Sequence, residues 1–226
     1  MCRLLVEQII KIMKRIYTIA VLLFLVCKIG YADSPLTSTD FYKAYLDIPI
    51  VKSAAANPGK LSHEQMAYLL EDRNPLDVRL ALINAVGWNI DGLTTFTDYL
   101  AYSLNNYPKE KHGHPADKIV TTEDLFSSAS PQQMAVLVYL RAMSDYLNVS
   151  QAYQIADMAM QNSISSESFM LPMALVWAQL KLMQGEWEAI YPSFEYLFLN
   201  AQEKDMRPEA VKIIMDYIGE YKKYSE

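Results

Sequence analysis

From residue 40 onward, apolar side chains recur every three or four residues, the spacing that lines one face of an α-helix. Phe41, Tyr45 and Ile48 predict a short helix after Asp40, and Pro49 restarts a second that stops at Asn57-Pro58-Gly59. Ser62 with Gln65 is a capping box opening a helix over 63–72. Asn74-Pro75 is expected to cap the next, whose face is Leu76, Leu80, Ile83 and Val86 and which Gly87 ends. After the turn at 88–92, Leu93, Phe96, Leu100 and Leu104 mark another helix, making Gly87 the corner of a hairpin.

The second half is oilier. Ser130-Pro131 opens a helix, with Gln133 expected to complete a capping box, and residues 134–143 leave almost no polar face, so burial on most sides is predicted. Ser150 is expected to cap its partner, with Tyr153, Ile155 and Met158 facing inward. Residues 171–183 are again apolar nearly all round, with Pro172 placed in the first turn. Gly185 ends that run at the corner of a second hairpin. After Pro208, Ala210, Ile213, Ile214, Tyr217, Ile218 and Tyr221 form one stripe, as expected of a terminal helix capping a stack. Residues 33–39 read as a loose N-terminus. A loop at 105–130, with a short helical turn over 122–126, breaks the pattern.

Around the Gly185 corner, Gly185-Glu186-Trp187-Glu188-Ala189-Ile190 followed by Phe194-Glu195 resembles the inter-helix half of a tetratricopeptide repeat. Phe96 follows Gly87 by nine residues, as Phe194 follows Gly185. The resemblance covers one good unit and two degraded ones over 62–204; Ala189 sits one place early and no proline closes the unit. It implies an all-α, single-domain array of antiparallel helical hairpins, a tetratricopeptide-like superhelix whose usual use is gripping other proteins, and it supplies no catalytic residues.

The first 32 residues change the count. Lys14 and Arg15 precede an apolar run from Ile16 to Val26, and Gly30-Tyr31-Ala32 offers small residues for cleavage, the layout of a signal peptide. Eleven residues fall short of the roughly 20 that cross a bilayer, so no transmembrane anchor is expected in a mature chain of 33–226. Met13 fits as the true start, with residues 1–12 an over-read; the alternative is an amphipathic helix over 4–12. Bulky Val26 before Cys27 argues against a lipoprotein. Cys2 and Cys27 both lie in the leader, so no disulfide is expected beyond it, which suits a bacterial periplasm or outer surface. Removing the leader takes five basic residues and one acid, leaving 15 against 25 and a net charge of -10. A body so acidic repels phosphate backbones, and nucleic acid is not an expected partner.

Candidate chemistry is sparse. His112, His114 and Asp117, with Glu110 nearby, are the one cluster of ligand types for a transition metal, set against the plainer reading of an exposed polar loop. Neither a metal nor another cofactor is expected. Paired acids at Glu71-Asp72, Glu123-Asp124 and Glu186/Glu188 could serve glycoside hydrolysis if a cleft held two of them. Helix-dipole compensation explains the last two more simply, and Glu71-Asp72 are expected to face water. A serine–histidine centre would have to recruit His63. Tyr99, Tyr102, Tyr107, Tyr191 and Tyr196, where not absorbed by the core, could line a recognition face for a partner. The sequence therefore points to an exported, non-enzymatic helical-repeat protein that binds a protein or peptide in the bacterial envelope. The alternatives are a small envelope hydrolase acting on polysaccharide or cell-wall fragments through paired carboxylates, and an accessory subunit working only within a complex.

Overall fold

The computed structural model describes residues 34–88, 94–106, 121–160 and 165–225, without side-chain detail at 157–160. The leader, the 89–93 turn, Tyr107 and the His112, His114, Asp117 cluster lie outside the described residues. Those described form ten α-helices and three 3-10 turns, with no strand among them. The helices are α1 (Pro49–Ala56), α2 (His63–Leu70), α3 (Leu76–Val86), α4 (Thr94–Asn106), α5 (Thr122–Ser128), α6 (Pro131–Ser144), α7 (Ser150–Met160), α8 (Glu167–Gln184), α9 (Ile190–Asn200) and α10 (Pro208–Ile218). Among the described residues, no helix is long and apolar enough to cross a membrane.

Helices α3 and α6 form the centre. Every residue from Val78 to Val86 and from Gln133 to Ser144 is buried. Around them, α1 and α8 pack on α3, α4, α7 and α8 pack on α6, and α9 pairs with α8. The α6–α7 and α8–α9 segments are hairpins. At the second corner Gly185 takes φ 76°, ψ 13°, the left-handed conformation that glycine adopts without a Cβ penalty. Its N–H donates to the Leu182 carbonyl at 3.1 Å, and the Glu186 N–H reaches back to Lys181 at 3.0 Å, which closes the helix end. A Lys181–Glu186 ion pair at 2.7 Å lies across the same two positions.

Several sequence expectations are corrected. Helix α4 finds its packing partners in α6 and α2 rather than lying along α3 past Gly87. Residues 35–39 are not loose: Leu36 and Thr39 are buried, Thr39 Oγ1 donates to the Pro35 carbonyl, and the Thr39 carbonyl accepts from Asn84. Ser62 and Gln65 do form the reciprocal capping box. At Ser130 only half of one forms, because Gln133 is buried and its amide goes to Tyr99 and Arg79 instead. Thr121 and Asp124 supply a capping box the sequence reading missed. Pro75, not Asn74, stands at the N-cap of α3 without a side-chain bond, and Asn74 donates to the Tyr68 carbonyl. Ser150 is the first residue of α7 rather than its cap. Pro172 lies inside α8, because Ser166 caps that helix five residues before the expected start.

The terminal helix also departs from expectation. Its stripe of Ala210, Val211, Ile214 and Ile218 is buried, but α10 packs chiefly on the N-terminal turn Phe41–Tyr45, with only a small contact on α9. The two ends of residues 35–225 therefore meet, whereas in an open solenoid each unit touches only its neighbours. A parallel bridge between Ser166 and Glu203 straps the entry of α8 to the exit of α9.

Candidate functional site

A groove of about 400 Å³ opens over the second hairpin. Its floor is Met173, Ala174 and Trp177 of α8, and its walls are Tyr153 of α7 and Pro192, Ser193, Tyr196 and Leu197 of α9. The local sequence dictates this division of α9. Ile190 and Phe194, four apart, point into the core and are fully buried. Two residues beyond Phe194, Tyr196 is rotated about 200° to the outside. It is 66% exposed, and Leu199 beyond it is 72% exposed. The Lys181 ammonium lies 5.7 Å from the Trp177 ring, within cation–π range. Among the described residues no charged side chain lines the groove, so its chemistry is that of apolar and aromatic contact, with the Tyr153, Ser193 and Tyr196 hydroxyls and the Trp177 indole N–H as side-chain hydrogen-bonding groups.

The tyrosines singled out from the sequence do not share one face. Tyr99 belongs to the core: it is wholly buried, its hydroxyl accepts from Gln133 Nε2 at 2.6 Å, and burial pushes its pKa up. Tyr102 packs edge-on against the His63 ring at 5.0 Å, so His63 is occupied in an aromatic pair. Tyr191 turns toward the C-terminal 3-10 turn Gly219–Tyr224, where Lys222 lies 5.5 Å from its ring and Glu195 accepts its hydroxyl at 3.0 Å. Tyr196 alone of these four lines the groove. Trp187 stays 40% exposed, stacked edge-on against Tyr224.

The acids are dispersed too. Asp72 is exposed, as expected, and its Oδ1 also accepts from Arg79 Nη1 at 3.2 Å, although Arg79 is fully buried in α3. The same nitrogen lies within hydrogen-bond range of the Leu69 carbonyl and Gln133 Oε1. Burial lowers the Arg79 pKa while Asp72 pulls it back up. Arg79 escaped the sequence reading because it sits within an apolar run, and its partner Gln133 lies 54 residues away. Asp124 caps α5, and Glu186 pairs with Lys181. A broader hollow of about 560 Å³ between α1 and α2 does hold two carboxylates, Glu64 and Glu71, beside Tyr68, Arg73 and Asn74. Glu71 is paired with Arg73 at 3.4 Å, and Glu64 stands in the first turn of α2, where the helix dipole accounts for it. Among the described residues no three histidine, cysteine or acidic side chains converge as a metal site.

The chain matches no protein-family model, no curated protein and no solved structure.

Proposed function

We propose that this is a non-enzymatic helical scaffold of the bacterial envelope that binds a protein or peptide partner in the groove between α7 and α9. The carrying observation is the α8–α9 surface itself: Tyr153, Trp177 and Tyr196 around Met173, Pro192 and Leu197, in a depression of about 400 Å³. Pockets of this size and lining suit apolar or aromatic side chains of a partner. The α6–α7 and α8–α9 hairpins pack successively, α7 on α8 and α6 on α8, and this is the portion we read as tetratricopeptide-like. The envelope assignment rests on the residues of the leader.

Photo-crosslinking tests the reading. A benzophenone amino acid at Tyr196 should capture a discrete envelope protein in the native host, and Trp177→Ala should abolish that adduct. The same probe at Tyr102, on another surface, should not capture it. Equal adducts at both positions, or none at Tyr196, would remove the groove as the binding site.

A further inference from the structure

The groove over the α8–α9 hairpin also limits what kind of chain can fill it. Tyr153, Trp177 and Ser193 are half-buried in its lining, and Tyr196 is exposed beside them. Among the described residues, neither the Trp177 indole N–H nor the Tyr153, Ser193 and Tyr196 hydroxyls find a hydrogen-bond partner. The indole can only donate, and each hydroxyl carries a proton to donate as well. The main chain of the floor is committed to its own helix, α8. Among the described residues the lining thus offers side-chain donors and no carboxylate.

Each common form of peptide meets these donors differently. A partner helix keeps its backbone bonds to itself and would lay apolar side chains over the donors without accepting from them. An added strand needs a sheet edge, and there is no strand among the described residues. A proline-rich segment in the extended polyproline form suits the lining. Its carbonyls have no internal hydrogen bonds and accept from outside, and its prolines bring no N–H that would need an acceptor. Its rings pack on tryptophan and tyrosine faces. Charge narrows the choice further. Lys181, against the Trp177 ring, is already paired with Glu186 at 2.7 Å, and no charged side chain among the described residues lines the groove. Residues 33–226 nevertheless carry 15 basic against 25 acidic side chains. So acidic a body repels anionic chains and draws cationic ones.

We infer that the occupant of the groove, taken as the binding site proposed above, is an extended proline-rich segment of the partner, neutral where it docks and basic at its flanks. Trp177 and Tyr196 hold proline rings, while the indole N–H and the Tyr153 and Ser193 hydroxyls donate to the segment's carbonyls.

Fluorescence anisotropy of dye-labelled synthetic peptides on the full chain tests this. The probe is a run of about eight prolines flanked by lysines; the comparisons are the same run flanked by glutamates and an equally long leucine–alanine helix former flanked by lysines. The probe should bind at least about tenfold more tightly than the helix former, and more tightly than its glutamate-flanked counterpart. Trp177→Phe, which keeps a ring and removes the indole N–H, should weaken it about twofold to tenfold. Tyr196→Ala, at an exposed side chain that the fold does not need, should weaken it as well. A helix former that binds as tightly as the probe, glutamate flanks that bind as well as lysine flanks, or a probe affinity unchanged by both substitutions would overturn the proline-rich occupant. The benzophenone adduct at Tyr196 separates this from the groove itself. A crosslinked partner peptide rich in proline supports both; one without proline leaves the groove standing and removes its proline-rich occupant; no adduct removes both.

Discussion

Helices α3 and α6 and the α8–α9 hairpin are equally apolar to the eye, yet they use that character in opposite ways. The central pair is buried from Val78 to Val86 and from Gln133 to Ser144, and several of its polar groups are turned inward as ties between distant segments. Asn84 takes the Tyr42 N–H on its carbonyl and donates to the Thr39 carbonyl and the Tyr139 hydroxyl, each at 3.0–3.1 Å. The hairpin buries one face through Ile190 and Phe194 and leaves Trp177, Tyr196 and Leu197 around a groove. A helix sealed all round holds the fold together, whereas one with an apolar outer face has surface to spare for a partner.

Substitutions can break or sharpen that contrast. The largest expected effect is on the inner face of the hairpin: Phe194→Ala should cost about 3–5 kcal/mol in denaturant unfolding, from lost burial and the cavity left behind. Asn84→Ala comes next, at about 3 kcal/mol, because it strands two buried groups and the Tyr42 N–H together. A loss near zero there would mean that the central polar ties do not hold the N-terminal segment. Gly185→Ala should cost about 1 kcal/mol, since no neighbour lies within 4 Å of the added Cβ and the left-handed backbone alone resists it. The smallest effect belongs to the outer face: Tyr196→Ala should shift stability by no more than about 0.5 kcal/mol while removing partner capture. A Tyr196 variant as unstable as the Phe194 variant would erase the distinction between the two faces.

The pattern of the chain made much of this legible. The burial of 134–143 and most of 171–183 follows from their nearly continuous apolar character, and the Ser62 and Gly185 boundaries follow from side chains and backbones with few alternative uses. What escaped depends on contacts between residues far apart in sequence. Gln133 looked like a capping partner for Ser130, but Tyr99 and Arg79, 34 and 54 residues away, claim its amide. Arg79, passed over within the apolar run of α3, proves to be among the largest fully buried side chains. Thr39 and Leu36 carried only a loop-like composition, and what orders them is Asn84 and the packed centre beneath. In the groove, Tyr196 was among the sequence candidates. Trp177 and Tyr153 were not: Tyr153 was expected to face inward and instead lines the groove, and Trp177 lies in a run apolar nearly all round, which does not show which side stays open.

Meeting of the two ends is what most separates this fold from an open stack of hairpins, since α10 packs chiefly on the N-terminal turn, where Arg207 meets Tyr45. Paramagnetic relaxation tests this directly: a nitroxide on Lys43→Cys, in a chain with Cys2 and Cys27 replaced by serine, should broaden the methyl signals of Ile214 and Ile218 and release them on reduction. Sharp Ile214 and Ile218 methyls with the nitroxide oxidised would contradict the closure.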